Sequence, residues 1–138
     1  MRLILDASVA LKFGLPEPDS DQALQLRDDF HSGVHELLAP DIFPIEIGHA
    51  LTKAERQKRI SPPDGWAIWQ KILADCPVLL PSYPLMPRAF EISSAKRIGL
   101  YDCLYIALAE QENCNLVTAD QKLITNLPGY PIISLSSL

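Results

Sequence analysis

Two acidic side chains directly follow short apolar stretches that are typical of buried strands. The run 3–5 ends at Asp6, and the run 116–118 is followed after one residue by Asp120. In an open parallel sheet, ligands bind beyond the carboxyl ends of the strands. Both carboxylates are therefore expected at the same rim. Capping of the next helix is the competing interpretation for each of them.

Two further acids stand on apolar helix faces. Asp102 opens a helical segment and has apolar neighbours, so its carboxylate would be partly desolvated. Complementing the positive helix N-terminus, worth about 0.3–1 kcal/mol, is the alternative. Glu46 projects between Ile42 and Ala50 in the apolar stripe of a long helix, at about 100° per residue. A buried glutamate needs a partner, which could be a basic side chain on a facing helix.

Together the four acids predict a metal site. Four carboxylates at one rim would repel one another in a low-dielectric cleft, which raises their pKa values or destabilises the fold. A divalent cation reverses that cost, and oxygen ligands without Cys or His favour Mg²⁺ or Mn²⁺. The hydroxyls of Ser8 and Thr118, each two residues from an acid, could hold a carboxylate rotamer or a metal-bound water.

The elements that must position these residues alternate along the chain between strand and helix. Strands are predicted at 3–5, 37–39, 78–80, 116–118 and 132–134. Helices are predicted at 7–13, 19–32, 40–59, 62–73, 84–98, 102–109 and 120–126, with Asp19 or Ser20 as a cap. This alternation predicts an α/β fold with a five-stranded parallel sheet and helices on both faces. No linker or repeat divides residues 1–138, so one domain is expected.

The composition fits a compact soluble protein, with 48% apolar and 21% charged residues and no stretch that resembles a membrane span. Asp6 and Lys12 interrupt the apolar start too early for a signal peptide. The three cysteines form no CxxC pair, so neither a disulfide framework nor a zinc site is indicated, and a cytoplasmic setting is expected. The net charge of −5 argues against general coating of nucleic acid but leaves room for an acidic, metal-filled cleft.

Four motifs in this order resemble those of a known family. DAS at 6–8, PDIFPIEIGHAL at 40–51, LYDCLYIALAE at 100–110 and LVTAD at 116–120 are similar to the acidic motifs of PIN-domain ribonucleases. The similarity is greatest to the VapC-type toxins of prokaryotic toxin–antitoxin pairs. A lone D-x-S would carry no weight, whereas the ordered set with its YDxxYxALA block is specific and spans nearly the whole chain.

The resemblance implies a PIN-like fold and a Mg²⁺- or Mn²⁺-dependent endoribonuclease that hydrolyses RNA phosphodiester bonds. It implies an antitoxin partner and a homodimer. The metal-binding catalytic acids that it implies are Asp6, Glu46, Asp102 and Asp120, with Ser8 and Thr118 in support.

Two positions depart from the family pattern. His49 stands where many members have asparagine, and Lys122 stands where many have a further acid, so one metal or two remain open. These departures favour an alternative function, a non-catalytic binding or scaffold module that keeps the PIN fold. A phosphoacceptor receiver domain ranks lower, because it needs paired acids after the first strand.

Several basic and aromatic residues have two interpretations each. Lys12, close after Asp6, is a candidate RNA contact, although the more common interpretation is a lysine that faces solvent. The basic run at 53–59 is usually a solvated face, with RNA backbone contact as the less common reading. Trp66 and Trp69 are most simply core or subunit interface, because base stacking would need exposure. His31 and His35 have a zinc-compatible spacing of four residues, but the glycine between them predicts a helix end.

Overall fold

Five short strands form one parallel sheet in the computed structural model, which describes residues 1–138. The strands β1 to β5 span Arg2–Leu5, Glu36–Pro40, Val78–Leu80, Asn115–Thr118 and Ile132–Ser134, and they lie in the order β3-β2-β1-β4-β5. Every neighbouring pair is parallel. The predicted α/β class and five-stranded parallel sheet are therefore confirmed.

Helices connect the strands. Helices α1 to α7 span Ala7–Ala10, Ser20–His31, Phe43–Arg56, Asp64–Leu73, Met86–Lys96, Leu100–Glu112 and Gln121–Asn126. Short 3₁₀ turns occupy Leu11–Phe13, Tyr83–Leu85 and Leu135–Ser137. None of these helices combines the length and hydropathy needed to cross a membrane.

The central strand and one helix form the middle of the core. Residues 3–5 of β1 are fully buried, as a strand covered on both faces should be. Helix α6 buries seven consecutive residues, Cys103–Ala109, which is typical of a helix inside the core rather than on its surface. The acid at the start of α6 is thus carried by the most enclosed helix of the fold.

The helix boundaries differ from the predicted ones for local reasons. Helix α3 begins at Phe43 rather than 40, because Pro40 completes β2 and the Asp41 carboxylate accepts hydrogen bonds from Ser82. Helix α6 continues to Glu112, beyond the predicted 109, and ends where Asn113 adopts a left-handed conformation with φ 54°.

The predicted cap of α2 is wrong. Asp19 has a left-handed backbone, φ 64°, and makes no capping hydrogen bond with its side chain. The Ser20 hydroxyl bonds instead to the backbone of Glu17. The sequence rule recognised suitable residue types but not the left-handed backbone at Asp19.

Candidate active site

Asp6 is fixed at the junction of β1 and β4. Its Oδ2 accepts one hydrogen bond from Ser8 Oγ at 2.6 Å and another from Thr118 Oγ1 at 2.6 Å. Its backbone N–H donates to Val117 O and so extends the ladder between the strands. Burial raises the pKa of Asp6, the two hydroxyls oppose that rise, and Asp120 adds to it. The carboxylate therefore has one orientation and one oxygen already occupied.

Asp120 both caps a helix and faces the cleft. Its Oδ1 accepts hydrogen bonds from the backbone N–H groups of Lys122 and Leu123, at 3.0 and 3.4 Å, at the start of α7. Its own N–H donates to Thr118 Oγ1 at 3.0 Å. The two interpretations offered for this residue are compatible, because the cap uses one carboxylate oxygen and leaves Oδ2 for the cleft.

Glu46 lies half-buried on α3 without a basic partner. Its Oε1 is buried and has no hydrogen-bond partner, and the same is true of the hydroxyl of Tyr105. The hydroxyl is near enough to lower the pKa of Glu46, although the two groups do not meet hydrogen-bond geometry. Burial outweighs it and, with Asp6 and Asp102, raises the pKa of Glu46 to about 7. The alternative of a neutralising basic side chain on a facing helix is wrong.

Asp102 stands in the first turn of α6, half-buried. Burial raises its pKa to about 6, and the charges of Asp6 and Asp120 contribute to the rise. A helix N-terminus would favour the charged form. Desolvation and like charge both oppose ionisation of this carboxyl, so helix stabilisation alone does not account for an acid here.

All four acids line one cleft of about 470 Å³. They reach it from the end of β1, from α3, from the start of α6 and from the loop after β4. The other lining residues are Ala7, Ser8, Leu11, Ile42, Ile45, His49, Ala50 and Tyr101. An acidic floor with apolar walls is therefore built from four elements that are far apart in the sequence.

The comparisons with known proteins concern the family and the fold. A model of the PIN domain matches residues 3–126. The chain belongs to the PIN-domain family. VapC ribonuclease Mb0985 from Mycobacterium bovis is 30% identical to this PIN domain over 121 residues, which are 88% of the chain and 87% of the relative.

Two solved structures have the same fold as this PIN domain. PAE2754 from Pyrobaculum aerophilum has a TM-score of 0.70 at 22% identity, covering 99% of this chain and 94% of that one. VapBC2 from Rickettsia felis, bound to a DNA fragment from its promoter, has a TM-score of 0.70 at 16% identity, covering 97% and 98%. The resemblance drawn from the four motifs is confirmed.

The cleft of this PIN domain offers carboxylate oxygens but no preformed cage for a metal ion. No group of three or more His, Cys, Asp or Glu side chains is arranged to hold a metal ion. Yet its carboxylates raise one another's pKa values, and a buried oxygen of Glu46 has no partner. Mg²⁺ usually keeps several waters and needs only one or two carboxylates. Asp6, Glu46, Asp102 and Asp120 are the residues that could hold it.

The basic residue predicted near the site has other contacts. Lys12 Nζ donates to Pro18 O at 2.6 Å and lies 3.9 Å from Glu17, and its side chain is only 10% exposed. It does not line the cleft. Its contact with RNA stays a prediction, with one of its three N–H donors already used within the chain.

The two histidines considered for zinc lie in separate pairs. His31 contacts Asp75, and His35 lies 3.6 Å from Asp29. Each imidazole thus has a carboxylate of its own, and the two do not share a site.

Tyr105 is the site residue that the sequence reasoning missed. It is almost fully buried, and burial, with the charges of Glu46, Asp6 and Asp102, raises its pKa far above the ordinary range of a tyrosine. Its position three residues after Asp102 places it on the same side of α6. That spacing, with the rarity of a phenol inside an apolar helix, was the available signal.

Proposed function

We propose that this PIN domain is a Mg²⁺- or Mn²⁺-dependent endoribonuclease and the toxin of a toxin–antitoxin pair. The observation that carries the proposal is the convergence of four carboxylates, from four elements, on one cleft that no lysine or arginine lines. Such an arrangement is unfavourable for a purely structural cluster, because two of the acids have pKa values of about 6 and about 7. The relative from Mycobacterium bovis is named a VapC ribonuclease, which supports RNA as the substrate.

The chain's own residues have defined parts in this proposal. Asp6 presents a free Oδ1 because the Ser8 and Thr118 hydroxyls hold its Oδ2. Asp120 presents Oδ2 because the start of α7 holds its Oδ1. When bound, a divalent cation would lower the pKa of a water and neutralise charge on the scissile phosphate.

Substitution of the acids by their amides tests the proposal. Asp6→Asn and Asp102→Asn should each reduce metal-dependent cleavage of RNA by about a hundredfold or more, with the fold retained by circular dichroism. Asp19→Asn is the matched control, because Asp19 is exposed and lies outside the cleft. Cleavage that is unchanged in both cleft variants would refute the assignment and indicate a contaminating nuclease.

A non-catalytic scaffold is the second candidate. It is favoured by His49 in the cleft, by Lys122 beside Asp120, and by the lack of a ready group of three ligands. Calorimetry separates the two functions. Heat from Mn²⁺ binding at millimolar metal, lost in Asp6→Asn, supports the enzyme, whereas no binding supports the scaffold.

The assembly and its setting are part of the same proposal. The Rickettsia felis structure is of a VapBC2 complex, which supports an antitoxin as a partner here. A homodimer is supported by an exposed apolar patch in which Tyr83 is 88% and Phe90 61% exposed. Light scattering tests it, since Phe90→Arg should convert a dimer to a monomer. Three free cysteines support a cytoplasmic setting.

A further inference from the structure

A groove between α3 and α4 runs directly into the acidic cleft. Ile45 and His49 line both, so the two cavities share a wall. The groove has a volume of about 450 Å³. Its other lining residues are Gly48, Leu51, Thr52, Glu55, Gly65, Trp66 and Trp69.

The tryptophans form a fixed, exposed platform. Trp66 and Trp69 are stacked with ring centroids 4.9 Å apart and an angle of 7° between the planes. The Trp69 indole N–H donates to Pro44 O at 2.9 Å, which fixes the Trp69 ring against α3. Trp66 remains 62% exposed, and Ile45 beside the groove is 74% exposed. A flat aromatic surface is thus held ready at the groove, although exposure of this kind is unfavourable without a ligand.

Two unpaired cations, Lys53 and Arg56, lie on the face of α3 that carries Ile45 and His49, next to the residues that line the groove. Ile45, His49, Lys53 and Arg56 are separated by four, four and three residues and share one face of α3. At 1.5 Å per residue, this face extends about 16 Å from the mouth of the cleft. Lys53 and Arg56 are exposed and form no ion pair within the chain.

The one acid in the groove is directed away from this face. Glu55 is half-buried and packs against the backbone of Gly65, where it fills the space that a side chain at position 65 would need. The two charged side chains on the face of α3 that carries Ile45 and His49 are therefore both positive, although the protein has a net charge of −5.

We propose that this groove is the track along which single-stranded RNA enters the cleft. In this proposal Trp66 stacks on a base, and Lys53 and Arg56 contact phosphates. His49 contacts the RNA where the groove meets the cleft. Stacked aromatics beside cations are the combination that binds single strands without base-specific hydrogen bonds. The inference rests on the proposed function, because it extends the same site to its substrate.

Equilibrium binding tests the track without any cleavage. The probe is a fluorescently labelled, unstructured oligoribonucleotide, and anisotropy is measured on the full chain in EDTA. Trp66→Ala should weaken binding about tenfold. Trp66→Tyr, which keeps an aromatic ring, should restore most of the affinity. Unchanged affinity in Trp66→Ala would overturn the proposal. Trp66→Tyr is the control for loss of fold, because it removes the same indole as Trp66→Ala but keeps an aromatic ring.

The salt dependence of binding tests the cations. Two phosphate contacts contribute about −1.4 to the slope of log K against log salt for a single strand. Lys53→Gln with Arg56→Gln should make the slope less steep by that amount. Lys96→Gln with Arg97→Gln is the matched control, because these exposed cations end α5, outside the groove. An equal change in both pairs would show general electrostatics and refute the track.

Cleavage assays distinguish failure of the track from failure of the proposed function. If the chain with Mn²⁺ cleaves the oligonucleotide, Trp66→Ala should raise KM about tenfold and leave kcat unchanged. If the chain binds through Trp66 but never cleaves, the track stands and the ribonuclease assignment fails. If Trp66→Ala changes only the oligomeric mass by light scattering, the groove is a protein interface and the track is wrong.

Discussion

Glu46→Gln should stabilise the metal-free protein at high pH and not at low pH. Burial and the charges of Asp6 and Asp102 raise the pKa of Glu46 from its ordinary 4.5 to about 7. This rise corresponds, at about 1.36 kcal/mol for each pH unit, to about 3 kcal/mol. Because the side chain is only half-buried, screening by solvent reduces the expected effect to about 2 kcal/mol. Glutamine is nearly isosteric and carries no charge to desolvate.

The sign of the effect follows from proton linkage. Because its pKa is raised in the folded state, the folded protein binds the Glu46 proton more tightly than the unfolded chain does. The penalty for an ionised Glu46 is therefore absent below about pH 4.5 and grows as the pH rises to about 7. The difference between Glu46→Gln and the parent should be about 2 kcal/mol at pH 8 and close to zero at pH 4.5.

Urea unfolding in EDTA at the two pH values measures this difference, with Asp19→Asn as a control that should show none. Saturating Mn²⁺ should reverse the order, because a ligand that binds only the folded state stabilises the parent more than the variant. A variant that is less stable than the parent by 1 kcal/mol or more at pH 8, in EDTA, would refute the reasoning. It would mean that Glu46 makes a stabilising contact rather than suffering repulsion.

Three further outcomes are expected. Thr118→Val should lower the free energy of unfolding, measured with urea, by about 1–3 kcal/mol, because Asp6 and the N–H of Asp120 each lose a buried partner. Thr118→Ser keeps the hydroxyl and should retain most of the stability. Tyr105→Phe should be neutral or stabilising without metal, since the hydroxyl that it removes has no partner. Mn²⁺ affinity measured by calorimetry should fall as the pH drops from 8 to 5, because protons compete at Glu46 and at Asp102, whose pKa is about 6; an affinity independent of pH would contradict this.

The sheet and the meeting of the acids could be predicted because they follow from chain-wide rules. Apolar runs separated by helices specify a parallel sheet, and the carboxyl ends of its strands share a rim. Asp6 and Asp120 needed only that rule to be placed together. Glu46 needed only the helical period, since an acid inside an apolar stripe has to face something polar.

The details that could not be predicted depend on contacts distant in the sequence. The start of α3 was misplaced because Asp41 bonds to Ser82, forty-one residues away, rather than to its own helix. The cap of α2 was wrong because the residue type does not reveal a left-handed backbone at Asp19. The exposure of Trp66 could not be known either, because an aromatic stripe has the same spacing whether it is covered or left open.

The burial of Cys103–Ala109 has a consequence for how this protein can change over generations. The helix that holds these residues has almost no solvent-facing side through its middle, and it carries Asp102 at one end. A substitution that alters the volume of a side chain along it has close neighbours on every side, so any resulting shift of the helix would also move Asp102. Substitutions in this segment are therefore expected to affect both the stability of the fold and the position of Asp102, whereas substitutions on the exposed face of α3 are expected to affect the fold less.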